Sequence, residues 1–418
     1  KCIYFIYVFY MTNTRKNQIK PKIAELFCGA GGFAEGAREA GFKHVWGVDN
    51  HEDSCKSFEE NQGCKSYCED IENFSKPSRL KKIKEDHGNI DGLLFGFPCN
   101  DFSLVGKNEK MEGKFGGLYK YACKVLNFFE PEFFVAENVT ALGKKLKFNS
   151  SEQLLVKDIF DKEKLQNQNY QNFKKIMGDL ANCSKNGYRI YADNYKFEEY
   201  GVPQARHRII LVGFREDYFL ENKINFKKPK KIDGDFVTCK KVLEKIPKWA
   251  THQEKTKHDN KVIRRLQKTA EGKNVWDLGD DEDGLPGVKK ARMSHIYKRL
   301  DSSKPAYTVT GSGGGGTHVY HYKEDRALTN RERARLQTFP DEYNFFGGKE
   351  SVRRQIGMAV PVLGAEKIMN AVKKSLKKAK KQTSFHHDWM IKGKGRDLYF
   401  TGKEDLSPSP QTSFDFNN

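Results

Sequence analysis

Residues 23–33 read IAELFCGAGGF, a short apolar run followed directly by a glycine-rich turn. An apolar run of this length, closed by glycine, is typical of a buried strand. Beyond the turn, Ala34, Ala37 and Ala40 recur at helical spacing, and Gly41 marks a stop. The stretch therefore predicts a strand, a turn and a helix, which is how a sheet of alternating strands and helices begins.

The same turn carries the spacing of a nucleotide-binding loop. Gly29, Gly31 and Ala34 fit the pattern in which glycines let the backbone approach a ligand closely. Asp49 ends the next apolar run, Val45–Val48, and a carboxylate there is suited to bind ribose hydroxyls. The pattern predicts a cofactor that contains a nucleoside, and by itself it leaves NAD and S-adenosylmethionine both open.

A third apolar run, Gly92–Phe97, leads into Pro98 and Cys99. Proline cannot donate a hydrogen bond to a sheet, so we expect the strand to end there. Cys99 would then lie in a loop at the carboxyl edge of the sheet, where open α/β folds keep their chemistry. Taken alone, such a cysteine is more often a buried structural thiol than a nucleophile.

Later segments repeat the arrangement of polar residues beside predicted strands. Glu137 lies near the end of the apolar run Phe133–Val139, and residues 204–208 read QARHR just before the run Ile209–Gly213. Two further blocks follow, RLQTFP at 335–340 and QIGMAVP at 355–361.

In this order the six blocks resemble the C5-cytosine DNA methyltransferases of bacterial restriction-modification systems, over about Lys22 to Lys373. The resemblance implies an α/β fold, with a doubly wound, mostly parallel sheet of the S-adenosylmethionine-dependent methyltransferase type and a smaller target-recognition domain. It implies transfer of a methyl group from S-adenosylmethionine to carbon 5 of a flipped cytosine in a specific site of double-stranded DNA.

The chemistry of cytosine explains why these residue types are needed. Carbon 5 is a poor nucleophile, and addition of the Cys99 thiolate to carbon 6 would activate it. The resemblance assigns to Glu137, as a carboxyl of raised pKa, the proton that N3 must receive, and selection of cytosine over thymine. Arg206 and Arg208 would supply cations near the ring oxygen and the catalytic loop. The base that removes the carbon 5 proton is not identified by the sequence.

The resemblance also implies a set of cofactor-binding positions. Two of them depart from the family pattern, since Met358 stands where asparagine is usual and Asn50 where a bulky apolar residue is common. The implied positions are Phe27, Gly29, Gly31, Gly32, Asp49, Asn50, Asp70, Ile71, Pro98, Leu118, Met358 and Val360.

Composition is consistent with a nucleic-acid partner. The 418 residues carry a formal net charge of +19, which favours a polyanion. Nine cysteines without a paired CxxC motif favour a reduced, cytoplasmic protein, and Cys64 and Cys68 have no nearby histidine that would suggest a metal. No stretch is long and apolar enough to span a membrane. We expect a monomer that binds no metal.

The domain prediction follows the strand signals. Residues 1–20 form an unstructured extension, with translation expected to begin at Met11; 21–218 form the catalytic and cofactor-binding domain; 219–325 form the target-recognition domain. Residues 326–355 are a hinge segment, 356–381 a helix returning to the catalytic domain, and 382–418 a polar, disordered tail. Candidate DNA contacts are Arg264, Arg265, Lys289, Lys290, Arg292 and the glycine run at 313–316.

Three other functions stay open at this point. A nicotinamide dehydrogenase would explain the glycine turn but not Cys99, Glu137 and the arginine pair. A catalytically silent DNA-binding protein is disfavoured by the intact Cys99 and Glu137. A tRNA cytosine-5 methyltransferase is the nearest competitor, and the long basic region between Gly213 and Arg331 disfavours it.

Overall fold

The computed structural model describes residues 20–97, 117–139, 168–222, 224, 226–275, 296–311, 313, 317–376, 391–394 and 397–400. Predictions that concern Pro98, Cys99, Lys289, Lys290, Arg292, the first ten residues and Met11 lie outside these residues. The described residues form eleven strands: β1 (Lys22–Leu26), β2 (Lys43–Asp49), β3 (Lys65–Cys68), β4 (Gly92–Phe95), β5 (Phe133–Val139), β6 (Tyr188–Lys196), β7 (Gln204–Ala205), β8 (His207–Arg215), β9 (Ala306–Tyr307), β10 (Ile391–Lys394) and β11 (Asp397–Phe400).

The helices of the described residues flank these strands. In chain order they are α1 (Gly32–Glu39), α2 (Glu52–Gln62), α3 (Ile71–Phe74), α4 (Pro77–His87), α5 (Tyr119–Phe129), α6 (Gln168–Ala181), α7 (Glu216–Asn222), α8 (Cys239–Leu243), α9 (Asn260–Lys268), α10 (Asn330–Leu336), α11 (Lys349–Met358) and α12 (Val362–Ser375). A 3₁₀ helix spans Phe197–Tyr200.

The main sheet has the strand order β11-β10-β6-β8-β5-β4-β1-β2-β3. Strands β1 to β5 pair in parallel, and β8 runs antiparallel between β5 and β6. Chain order reverses between β1 and β4, and open α/β sheets bind ligands in the crevice at such a reversal. The predicted α/β fold with a mostly parallel sheet is confirmed.

Alternate residues of the central strands face two separate apolar layers. On β4, Leu93 and Phe95 face the layer that includes α4, α5 and α6, while Leu94 faces the layer that includes α1 and α12. This alternation follows from the two-residue period of a strand. Because both faces are covered, the central strands read as continuous apolar runs, which is why the sequence predicts them well.

The last described helix returns to the start of the chain. Helix α12 packs on α1, and Gly36 makes the close contact possible, since a Cβ there would lie 2.4 Å from the Val362 carbonyl oxygen. The sequence predicts one helix from Gly357 to Ala371. That prediction is wrong, because α11 ends at Met358 and Pro361, which has no N–H to continue a helix, precedes α12.

The structure contains strands at two places where the sequence analysis predicted none. The strand β3 has no apolar run to announce it, and its four residues read KSYC beside β2 at the sheet edge. The tail after residue 382 was expected to be disordered, yet Ile391–Lys394 and Asp397–Phe400 pair with each other, and the former pairs with β6. An edge strand pairs through its backbone N–H and C=O groups, so the hydropathy of its side chains does not reveal it.

The region after β8 has its own small cores. One joins Cys239 and Leu243 of α8 to Val309, Val319 and Leu336, and a second surrounds Leu266 of α9 and Tyr320. The short pair β7–β9 links this region to the segment that precedes β8.

Candidate active site

The glycine turn after β1 is held in a backbone conformation that favours glycine. Gly29 has φ +51° and Gly31, the N-cap residue of α1, has φ +85°. Phe27 also has a positive φ, at 55°, although it is not glycine. A Cβ added at Gly29 would meet no atom within 4 Å. Gly29 therefore borders open space, whereas other glycines of the turn pack against protein.

Asp49 closes this turn from the neighbouring strand. Its Oδ2 accepts the Gly29 N–H at 2.9 Å, and its Oδ1 accepts the His51 N–H at 3.0 Å. Burial raises the pKa of Asp49, and the two N–H donors act against that rise. The carboxylate fixes the turn, and its oxygens keep lone pairs for a further donor.

The glycine turn packs from below on Val360, a residue far away in the sequence, and this contact forms the floor of the turn. A Cβ on Gly32 would lie 2.6 Å from the Val360 carbonyl oxygen, so only glycine permits this contact. Val360 is buried, while Met358 is 60% exposed. The two predicted cofactor positions of this block therefore differ, one packed beneath the turn and one open to solvent.

The remaining predicted cofactor positions lie at the carboxyl edge of the sheet. Asn50 follows β2 and is exposed. Asp70 follows β3 and caps α3, where its Oδ1 accepts the Glu72 N–H at 2.8 Å, and Ile71 is buried beside it. Leu118 is half-buried at the start of α5. These elements surround the crevice at the chain reversal, as ligand sites in such sheets do.

Glu137 lies at the end of β5 beside the end of β4. Arg208 Nε is 2.7 Å from Glu137 Oε1, and a Cβ on Gly96 would lie 3.6 Å from Oε2. The next residue, Asn138, is buried and donates from Nδ2 to the Phe97 carbonyl oxygen at 3.2 Å. The strand end that carries Glu137 is thus tied to the residues that lead into Pro98.

Arg206 lies in a different environment from Arg208. It is buried, and its Nη1 donates to the carbonyl oxygens of Val309, at 3.2 Å, and Gly357, at 3.1 Å. The sequence predicts that Arg206 supplies a cation near the substrate. In the structure, these two hydrogen bonds join the segment between β7 and β8 to the backbone at Val309 and Gly357. The structure brings Glu137 and Arg208 together, and it ties Arg206 to the junction beneath α11.

Two buried glutamines, Gln204 and Gln337, join the same backbone segments, and sequence analysis did not select them as functional residues. Gln204 donates to Gln337 Oε1 at 2.9 Å and accepts the Val309 N–H at 2.8 Å. Gln337 donates to the Ile356 carbonyl oxygen at 2.8 Å. Gln204 belongs to the block QARHR and Gln337 to the block RLQTFP. Membership in these blocks was the sequence feature that could have identified them. A buried amide network of this kind rigidifies its surroundings when its donors and acceptors are satisfied.

The described arginines among the DNA-contact candidates lie on α9. Arg264 is exposed, and Arg265 donates from Nη1 to the Tyr297 hydroxyl at 2.8 Å. Among the described residues, no group of three or more His, Cys, Asp or Glu side chains could hold a metal ion. Within the same residues, no helix has the length and apolar character needed to cross a membrane.

Comparisons with known proteins identify the family of this chain. A family model described as C-5 cytosine-specific DNA methylase matches residues 21–374. The Type II methyltransferase M.BbvI of Brevibacillus brevis is 44% identical over 373 residues, covering 85% of this chain and 92% of that protein. The Type II methyltransferase M.NgoFVII of Neisseria gonorrhoeae is 35% identical over 370 residues, covering 87% and 89%.

A solved structure shows the same fold. It is described as a DNA modification methyltransferase encoded within an Escherichia coli prophage, with a TM-score of 0.61 at 20% identity, covering 85% of this chain and 99% of that one. At that identity the likeness concerns the fold. The family match, by contrast, extends over most of the sequence, from residue 21 to residue 374. The chain belongs to the C-5 cytosine-specific DNA methylase family.

Proposed function

We propose that this protein methylates carbon 5 of one cytosine within a specific double-stranded DNA site, and so protects DNA in a restriction-modification system. The observation that carries the proposal is the Glu137–Arg208 pair at the edge of the sheet, directly beside the residues that lead to Cys99. The names of the two relatives support a type II system. The same names and the DNA methylase family favour DNA over tRNA as substrate.

S-adenosylmethionine is the cofactor that these residues fit. Gly29 borders open space beside Asp49, and the exposed Asn50 and Asp70 follow the next two strands, so polar groups for a nucleoside surround one crevice. When bound, S-adenosylmethionine supplies the methyl group. Asp49 would accept from ribose hydroxyls, and Ile71 and Leu118 would contact the adenine from the apolar side. Met358 and Val360, with Phe27 and the glycines of the turn, would line the rest of the site.

The chain's own residues would prepare the cytosine. The Cys99 thiolate would form a bond to carbon 6, and electron density would move into the ring toward N3. Glu137 would hold a proton at N3 and accept a hydrogen bond from the exocyclic amine. Arg208 would hold the Glu137 carboxyl through their ion pair, and Arg206 would support the site through Val309 and Gly357.

The target base must leave the helix for this chemistry. In a stacked duplex, neighbouring bases cover both faces of the ring, so a thiol on a loop cannot reach carbon 6. We therefore propose base flipping, a monomer acting on DNA in the cytoplasm, and readout of the site by residues 219–325. Residues 326–355 would act as the hinge and 356–381 would return the chain to the catalytic domain.

Transfer of label from S-adenosylmethionine to plasmid DNA, followed by bisulfite sequencing, tests the function and identifies the site. We expect one methylated cytosine within one recurring sequence. Cys99→Ala should abolish transfer, whereas Lys230→Gln, which removes an exposed charge paired with Asp233, should not. Label in tRNA and not in DNA, or retained transfer by Cys99→Ala, would contradict the proposal.

A further inference from the structure

Arg333 is a buried arginine whose end group lacks partners. It lies on α10 with 1% of its surface exposed, and neither Nη has a hydrogen-bond partner among the residues that the structure describes. Arg331, two residues earlier on the same helix, is equally buried. Its guanidinium donates to Thr251, Pro340 and Tyr343. The contrast shows that burial of arginine in this helix does not by itself leave donors unused.

An unpaired guanidinium in a protein interior is costly. A buried donor without a partner loses its hydration and gains nothing in return, and the loss is larger for a charged group. The cost is visible in acid–base terms, since burial, followed by the charge of Arg353, lowers the pKa of Arg333 to about 10. Groups of this kind in native proteins call for a ligand, ion or water that satisfies them.

Arg353 adds a second buried cation to the same place. It lies on α11 with 5% of its surface exposed, and its Nε has no partner among the described residues. Its Nη2 donates to the Gly313 carbonyl oxygen at 2.6 Å. It also pairs with Glu350, whose side chain is 75% exposed and therefore screened by solvent.

The surroundings of the two arginines are positive. Burial, and then the charges of Arg333 and Arg353, lower the pKa of His318 to about 4, with His258 and Lys349 acting in the same direction. The nearest acidic neighbour on α10, Glu332, is already bound by Arg326, with Nη1–Oε2 at 2.8 Å. The cluster thus has more cations than anions to match them.

We propose that Arg333 and Arg353 form a binding site for an oxyanion of the phosphate type. The ligand would be a backbone phosphate of bound DNA or a free phosphate, and the DNA alternative rests on the proposed function. Two Nη groups of one guanidinium present parallel donors that match two oxygens of a phosphate, which lysine or histidine cannot do.

Gly313 lies directly against Arg353 of the proposed site. A Cβ on Gly313 would lie 2.8 Å from Arg353 Nε, so the glycine backbone covers the guanidinium directly. Gly313 is thus the described residue that lies against Arg353 of α11. The DNA alternative is favoured because Gly313 belongs to the predicted target-recognition domain.

The first experiment uses the protein without DNA and inorganic phosphate as the probe. Thermal unfolding is followed at increasing phosphate, with chloride at matched ionic strength, for the wild type, Arg333→Met and Lys230→Gln. We expect phosphate to raise the Tm of the wild type and of Lys230→Gln, and not that of Arg333→Met. Without phosphate, Arg333→Met should be at least as stable as the wild type, because it removes an unpaired buried charge. Arg353→Met serves as a second variant if Arg333→Met does not fold.

The second experiment measures DNA binding against salt, on a duplex carrying the site found by bisulfite sequencing. If the ligand is a DNA phosphate, Arg333→Met should reduce the slope of log Kd against log salt by about one unit, and Lys230→Gln should not. A phosphate effect with an unchanged slope identifies free phosphate as the ligand. An Arg333→Met protein that matches the wild type in both experiments would overturn the proposal. Because the first experiment needs no DNA, it stands even if no DNA is methylated.

Discussion

Glu137 and Arg208 face each other diagonally across two antiparallel strands. The register pairs Arg208 with Val139, two residues beyond Glu137, so both side chains project from the same face of the sheet. Arg208 Nε lies 2.7 Å from Glu137 Oε1, and the two side chains are 14% and 13% exposed. An ion pair shielded from solvent to this degree restricts the orientation of the carboxyl more than an ion pair on the surface does.

Glu137→Gln should slow the chemical step while leaving cofactor binding nearly unchanged. Gln keeps the size of the side chain but cannot deliver the proton, and general acid catalysis contributes about 10²–10⁴-fold. The single-turnover rate of methyl transfer measures the effect. Glu216→Gln is the matched control, since Glu216 pairs with Arg189 at the opposite end of β8. A Glu137→Gln rate within about twofold of wild type would remove the residue from the mechanism.

Arg208→Met should also lower the single-turnover rate, by about 10²-fold, because the carboxyl loses its orienting partner. Arg208→Lys should recover only part of the rate, since an ammonium cannot reproduce the planar fork. The decisive measurement is the double variant with Glu137→Gln. If the two residues act as one unit, the double variant should be about as slow as the slower single one. Independent, multiplying losses would show that Arg208 acts elsewhere.

Gly29→Ala and Gly63→Ala should separate backbone strain from cofactor binding. Both glycines have positive φ, 51° and 62°, and neither would place a Cβ within 4 Å of another atom. Each substitution should destabilise the protein by about 1 kcal/mol. Only Gly29→Ala should weaken S-adenosylmethionine binding, measured by calorimetry, because Gly63 ends α2 away from the turn. Equal affinities for both variants would mean that the cofactor does not approach Gly29.

The stability of the protein should fall in mild acid because of His44. Its ring is buried on β2, with Nε2 3.5 Å from Glu25 Oε2, and burial lowers its pKa from 6.5 to about 3. The unfolded chain therefore binds more protons between these values, so the contribution is fully present above pH 6.5 and is lost as pH falls toward 3. Since one pKa unit corresponds to about 1.4 kcal/mol, the loss should reach a few kcal/mol.

The measurement compares the free energy of unfolding of the wild type and His44→Gln across this range. Burial raises the pKa of Glu25, so its contribution has the opposite sign and is lost as pH rises above its ordinary value of 4.5. The difference between the two proteins isolates the histidine. We expect the wild-type curve to fall more steeply below pH 6.5, and parallel curves would contradict the assignment.

The fold could be predicted from sequence where strands are buried on both faces. Phe133–Val139 forms β5 with the bounds that its apolar run predicts, and the glycine turn after β1 is where the pattern indicates. The short strand at Lys65–Cys68 was not predicted, because a strand at the edge of a sheet needs no apolar run. The prediction of one helix across Pro361 was wrong because proline has no N–H to continue a helix, and the sequence already shows this proline.

The site could be predicted in its residue types but not in its contacts. Glu137 and Arg208 were selected separately, and only the register of β5 and β8 brings them together. Arg206 was expected beside the substrate, and its bonds to Val309 and Gly357 depend on chain segments more than a hundred residues away. Arg333 gave no signal at all, since arginine is rarely buried without a partner.

The contact between α1 and α12 has a consequence for biosynthesis. Lys373 Nζ donates to the Ala40 carbonyl oxygen at 2.8 Å across 333 residues of sequence, and Val360 lies under Gly32. A ribosome therefore makes the glycine turn long before the segment that supports it from below. The apolar face of α1 therefore stays uncovered until α12 leaves the ribosomal exit tunnel. A product truncated before Pro361 keeps that face exposed to proteases and chaperones. Methylation competence thus arrives only after α12 has been synthesised.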